Sequence, residues 1–121
     1  MQGERDSMTR LLTCAAFALL AACGAEAPPG APTPALADPA DPKLAKLYAQ
    51  TCKACHTTPG SGAPLAGDKT AWEPRVAQGM ATLLEHTVRG YKGMPPLGSC
   101  MDCSEQEFEA LIRFMAGLDG A

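Results

Sequence analysis

One pentapeptide constrains this 121-residue chain more than any other stretch: Cys52-Lys53-Ala54-Cys55-His56. Two thiols three positions apart, followed at once by a histidine, form the pattern that attaches a haem covalently. Each thiol can add to one of the porphyrin's two vinyl groups, giving two thioethers. The adjoining imidazole then has a ring nitrogen free to bind iron as the proximal ligand. A chain with this pattern must also supply an apolar wall, an opposite axial ligand and a route of export, because the attachment chemistry takes place on the outer side of a membrane.

The rest of the composition agrees with a small, stapled domain. The chain has room for one such domain, and less once a start is removed. One Trp, two Tyr and three Phe are few for building a core, and a chain this short buries little surface on its own. A buried haem would serve as the staple. From Cys23 onward eleven Asp and Glu stand against eight Lys and Arg, a formal −3. With no basic stripe to neutralise phosphates, nucleic acid is excluded as a partner.

Residues 1–22 read as a signal peptide. Arg5 and Arg10 give the positive start, and 11–22 is almost wholly apolar yet too short for a comfortable membrane span. A second start at Met8 would give a more compact signal. The sequence Leu20-Ala21-Ala22-Cys23 resembles a bacterial lipobox, in which the cysteine is lipidated and becomes the first mature residue. The alternative is an ordinary cleavage that leaves Cys23 as an unpaired exported thiol. Gly24 follows, not the aspartate associated with inner-membrane retention, so the outer membrane is the favoured destination in a Gram-negative cell. Cys14 lies inside the apolar run and is expected to be discarded. Residues 23–40, rich in Ala and Pro, cannot bury enough surface to fold and are expected to act as a tether. The folded domain is then 41–121.

Within that domain the periodicity is helical throughout. Asp41-Pro42 is an N-cap followed by proline at the first helical position, and Leu44, Leu47 and Tyr48 mark one buried face to about Thr51. A Gly- and Pro-rich loop fills 57–68. A short helix is predicted over 71–78 with Trp72 and Val76 inward, and Gly79 interrupts it. Another is predicted over 80–89, with Leu83, Leu84, Thr87 and Val88 on one side and Gly90 as its C-cap. Residues 91–103 form a loop containing Met94-Pro95-Pro96. Ser104-Glu105-Gln106-Glu107 is a capping box, and Phe108, Leu111, Ile112 and Met115 recur at i, i+3, i+4 and i+7. No alternating run of strand length occurs. The expected fold class is all-α, about four short helices wrapped around one haem.

These residues carry a family resemblance. From about Asp41 to Leu118 the chain resembles a class I cytochrome c, and within that class the bacterial cytochrome c5 group. The resemblance rests on Cys52-Lys53-Ala54-Cys55-His56, Gly67-Asp68, Trp72-Glu73-Pro74-Arg75, Gln78-Gly79-Met80, Met94-Pro95-Pro96, Cys100-Met101-Asp102-Cys103 and the final amphipathic helix. It implies that the first and last helices cross at the haem edge. It also implies that Met94, 38 residues after His56, is the second axial ligand. Prolines beside it restrict the backbone and so hold the thioether in place. Met80, Met101, Met115 and His86 are the rivals, Met115 lying on a core stripe where methionine usually just packs. A thioether opposite an imidazole raises the reduction potential relative to two nitrogens.

Cys100 and Cys103 admit two readings. With Cys52 and Cys55 they could form a four-thiolate zinc site. The distance between the pairs, His56 beside the first and export to an oxidising compartment favour a disulfide closing a short loop, which also matches the cytochrome c5 pattern. For the surroundings of the haem, Trp72 is either a large core residue or an indole N–H donor to a propionate, and Arg75 either pairs with a propionate or is a solvated surface arginine. A carbonyl of the Gly- and Pro-rich loop, with Pro64 the candidate, is expected to accept from the His56 ring N–H. Asp102, Glu105, Glu107 and Glu109 cluster at a helix start, which suits the helix dipole and would bias docking toward a basic partner.

The function these readings converge on is that of a monohaem electron carrier, not an enzyme. One haem c would be bound through Cys52 and Cys55, with His56 and Met94 as axial ligands. The iron would cycle between ferric and ferrous states with no open coordination site. Expected partners are redox proteins such as a terminal oxidase, reductase or dehydrogenase. The chain itself is expected to be a monomer, lipid-anchored through Cys23 on the periplasmic side, or soluble in the periplasm without that lipid. Alternatives are a haem gas sensor or peroxidase-like protein if Met94 does not hold the iron, and the zinc module.

Overall fold

The computed structural model of the protein describes residues 36–119; the expected signal peptide and Cys23 lie outside them. The first helical path begins where the sequence predicts. Asp41 Oδ1 accepts from the Leu44 N–H at 2.7 Å, and Pro42 sits in the first turn of α1 (Pro42–Leu47). The path does not stop at Thr51. It passes through a π-helical turn, Tyr48–Cys52, into α2 (Lys53–His56), so the haem motif is itself helical. Within this turn the Thr51 hydroxyl donates to the Leu47 carbonyl at 2.7 Å, as the Thr87 hydroxyl does to Leu83 in a later helix. At the end of α2, the hydroxyls of Thr57, Thr58 and Ser61 donate to the Lys53, Ala54 and Cys55 carbonyls, satisfying acceptors that helix geometry leaves open.

Asp68 caps α3 (Lys69–Val76), its Oδ1 accepting from the Ala71 N–H at 3.1 Å. The cap brings the start forward of the expected residue 71. The helix α4 (Met80–Arg89) has the expected bounds, but its inner face is narrower: Leu83 and Thr87 are buried, Leu84 is half-buried and Val88 is 45 % exposed. A short 3-10 turn, Pro96–Ser99, follows, and the only strand-like pairing among the described residues is the isolated bridge Tyr91–Met94. The last helix, α5 (Glu105–Met115), opens on the predicted capping box: the Ser104 N–H donates to Glu107 Oε2 at 2.8 Å, and Ser104 Oγ accepts from the Glu107 N–H at 3.3 Å.

The core forms where α5 meets the first helical path. Phe108, Leu111, Ile112 and Met115 are all buried, and the fully buried Tyr48 ring meets Phe114 edge-on with centroids 5.0 Å apart. Lys43 Nζ lies 2.6 Å from Glu107 Oε1 and links α1 to the cap of α5. The folded part also starts earlier than residue 41. Leu36 packs against the core, Pro39 is buried, and Asp38 Oδ1 accepts from Lys53 Nζ at 2.6 Å. Leu36, Asp38 and Pro39, expected to belong to the tether, therefore hold the segment 36–40 to the domain as a strap. No helix among the described residues is long and apolar enough to cross a membrane.

The Glu107 carboxyl has its pKa lowered from 4.5 to about 2, by the Lys43 ammonium first and then by the Ser104 N–H and hydroxyl. A group whose folded-state pKa lies below its unfolded value stabilises the fold above the unfolded value, and that contribution is lost as pH falls through the folded one. The stability gap between the wild type and Glu107→Gln, followed by denaturant titration, should therefore narrow as pH falls from 4.5 to about 2.

Candidate functional site

Helical register decides how the motif presents its three groups. Residues i and i+4 share a face, with i+3 to one side. Cys52 and His56 are accordingly buried, while Cys55 is exposed. Both thiols are free. Burial pushes the Cys52 thiol up in pKa, with the Thr51 hydroxyl opposing and Cys55 adding to the shift.

The imidazole of His56 is held in one orientation. Its Nδ1–H donates to the Pro64 carbonyl at 2.8 Å, so Nε2 carries the lone pair and is the atom available to a metal. Burial first, and the nearby Arg75 guanidinium last, lower the His56 pKa, while the Pro64 carbonyl opposes them. The neutral form needed for ligation is the one favoured. The chain closes this loop with a second bond at the motif, from the Ala66 N–H to the His56 carbonyl at 2.7 Å.

Trp72 takes the core position that was one of its two readings: it is buried, and its Nε1–H donates to the Leu65 carbonyl at 2.8 Å. Its ring lies beside the His56 imidazole, with centroids 5.9 Å apart and planes at 25°. The adjacent carbonyls of Pro64 and Leu65 are thus gripped by two rings that also face one another. The loop carbonyl satisfies the buried indole N–H. Arg75 spends one Nη1–H on the Ala71 carbonyl of its own helix and is half-buried.

Met94 is half-buried in the loop after α4. Tyr91 and Met94 exchange backbone hydrogen bonds at 3.1 and 3.0 Å, forming a tight turn that ends at Met94. The 3-10 turn that follows packs against Tyr48–Cys52, which brings the methionine loop to the motif segment. Of the rival ligands, Met115 is buried in the core, Met101 is 76 % exposed, Met80 is half-buried against the core, and His86 stacks on Tyr91 with centroids 4.0 Å apart. Among the described residues, the three non-glycine positive-φ positions are Lys92, Leu97 and Ser99, all in this loop. Such backbone costs about 1–3 kcal/mol per residue and gathers at functional sites.

Cys100 and Cys103 are joined by a disulfide. That removes two of the four thiols the zinc module would need, so the four-cysteine alternative fails on its donor set. In the acidic cluster, Glu107 pairs with Lys43 and Glu109 with Arg113, while Asp102 and Glu105 are exposed. The sequence did not point to the Leu65 carbonyl or to the strap at Leu36 and Asp38. Both depend on contacts between residues far apart or on backbone atoms.

The donor set fits one covalently held haem: two free thiols at helical spacing, an oriented imidazole with a free Nε2, and a thioether in a loop packed against the motif. Comparison with known proteins points the same way. The sequence family described as cytochrome C oxidase, cbb3-type, subunit III matches residues 39–115. Cytochrome c5 of Azotobacter vinelandii is 43% identical over 74 residues, covering 60% of this chain and 89% of that protein. Cytochrome c-555 of Chlorobaculum tepidum is 40% identical over 74 residues, covering 58% of this chain and 68% of that protein. Among solved structures, a cytochrome c in an electron transfer complex with nitrite reductase superposes with a TM-score of 0.56 at 38% identity, covering 64% of this chain and 94% of that one. A mono-heme ferrocytochrome c from Shewanella putrefaciens gives 0.55 at 36% identity, covering 60% and 90%.

The disulfide closes a ring across a sequence separation of 3, for which chain entropy alone gives about 2 kcal/mol. Denaturant unfolding of the holoprotein should show Cys100→Ser/Cys103→Ser less stable by about that amount, with the haem still covalently attached.

Proposed function

This chain belongs to the class I c-type cytochromes, as a monohaem protein related to cytochrome c5 and cytochrome c-555, and on that premise we propose that it transfers single electrons using His56 and Met94 as axial ligands. As a member of that family it carries one covalent haem c and works as an electron carrier between redox proteins. When bound, the haem supplies reversible one-electron exchange at its iron. The residues around it bind, orient and shield. Cys52 and Cys55 would form the two thioethers. Pro64 holds the His56 ring with Nε2 outward, and Pro95 and Pro96 stiffen the chain just after the Met94 thioether. The observation that carries this reading is the bond from His56 Nδ1–H to the Pro64 carbonyl, because it leaves only Nε2 to bind iron.

The partners we infer are a terminal oxidase or a reductase. The matched family is described as an oxidase subunit, and one structural relative is a cytochrome c in complex with nitrite reductase. The exposed Asp102 and Glu105 would favour a basic docking surface. We place the domain on the periplasmic side of a bacterial membrane, with 1–22 as signal peptide, Cys23 as the lipidated residue and the following Pro/Ala-rich stretch as tether. The support is the sequence Leu20-Ala21-Ala22-Cys23 and the composition after it.

Two measurements test this. The ferric holoprotein should show the weak far-red iron–thioether absorption band, and Met94→Ala should abolish it while the haem stays attached. A band that survives Met94→Ala would overturn the ligand assignment, and rapid cyanide or carbon monoxide binding by the wild type would favour a sensor or peroxidase-like role. Separately, Cys23→Ser should move the protein from the membrane fraction to the soluble periplasmic fraction; unchanged fractionation would rule out the lipid anchor.

A further inference from the structure

We infer that Gly90 and Gly98 are positioning residues for Met94: their missing side chains let the ligand loop close on itself from two sides. The proposal rests on Met94 being the axial ligand. At Gly90 the backbone has φ 81 and ψ 151, where only glycine is at ease. A Cβ built there would stand 2.8 Å from the Met94 carbonyl oxygen, 2.9 Å from Pro96 N and 3.2 Å from Pro95 C. All three are backbone atoms of the segment Met94-Pro95-Pro96, and two of the residues are prolines. Such a segment cannot rotate away as a flexible side chain could, so a side chain at Gly90 must displace Met94 itself.

Gly98 closes the other side. It lies in a left-handed conformation at φ 53, flanked by Leu97 at φ 58 and Ser99 at φ 66. A Cβ built there would stand 3.2 Å from Cε of Met94, the methyl group bonded to the sulfur that would bind iron. One glycine therefore leaves room for the Met94 backbone, and the other leaves room for its methyl group. The two act on one residue through different atoms.

Other glycines of the domain provide the controls. Gly79 shares the same kind of backbone, at φ 87, yet nothing lies within 4 Å of a Cβ built on it. Gly93 is next to Met94 in sequence and is equally open. Strain alone is thus represented by Gly79→Ala, and proximity alone by Gly93→Ala.

The experiment uses the mature holoprotein of each variant, produced with haem-maturation machinery. Readouts are the ferric far-red band, the reduction potential, imidazole affinity and the melting temperature. Gly90→Ala and Gly98→Ala should keep the covalent haem, weaken or lose the band, lower the potential and bind imidazole about tenfold more tightly. Gly79→Ala should lower the melting temperature without changing the band or the imidazole affinity, and Gly93→Ala should leave all four readouts as in the wild type. If Gly90→Ala fails to mature, Gly98→Ala decides by the same readouts. A wild-type band and imidazole affinity in the matured Gly90→Ala and Gly98→Ala proteins overturns the inference while leaving Met94 as ligand. A band that persists in Met94→Ala overturns the ligand assignment itself, and this inference with it.

Discussion

The helical register running from Tyr48 to His56 is the constraint on which the rest of the structure depends. Tyr48, Cys52 and His56 follow at intervals of four along this path, and all three are buried. Tyr48 meets Phe114 of the last helix, Cys52 belongs to the core, and His56 reaches the Pro64 loop. The docking of the two terminal helices and the aim of the proximal ligand are therefore one decision. A change in register would turn the imidazole away from Pro64 and expose the Tyr48 ring in the same step.

Two sides of the site are built by different means. On the histidine side, ordinary helix geometry and satisfied hydrogen bonds do the work: two neighbouring carbonyls are taken by the rings of His56 and Trp72. On the methionine side the backbone is forced. Left-handed residues cluster between Lys92 and Ser99, and a glycine is pressed against the prolines. That costs free energy locally, and the disulfide at Cys100 and Cys103 and the packing against Tyr48–Cys52 hold the loop in place. The asymmetry is physically sensible. An imidazole on a helix needs only a partner for its far nitrogen, whereas a flexible thioether on a loop needs its backbone fixed.

Much of this was legible in the sequence, for identifiable reasons. The haem motif, the capping box at Ser104 and the stripe from Phe108 to Met115 are local patterns, and local patterns survive folding. The bounds of α4 were readable because Gly79 and Gly90 punctuate it. The π-helical turn was not readable, since nothing in the residue types or spacing of Tyr48–Cys52 distinguishes it from an α-helix. For Trp72 the sequence left a core role and a propionate contact both open, because an indole N–H needs some acceptor. Which acceptor it finds, the Leu65 carbonyl, depends on the path of a loop that carries no periodicity. The strap escaped for a related reason: Ala- and Pro-rich composition describes residues 36–40 well, and nothing in it says that Leu36 and Pro39 find a surface to lie on. Val88 was placed on the inner face by spacing alone, but the stripe that α4 buries is narrower than the pattern.

The strap also has a mechanical meaning. Leu36 lies against the core and Asp38 is tied to Lys53, which sits between the two cysteines of the motif. Any tension that reaches the domain through residue 36 is loaded first at this point, on a residue of the motif helix, and not at the start of the first helix. Because Lys53 is a residue of the motif helix, the strap is coupled to the same element that carries the haem-binding groups. The first bonds to give way are a surface ion pair and a leucine contact, both quick to reform.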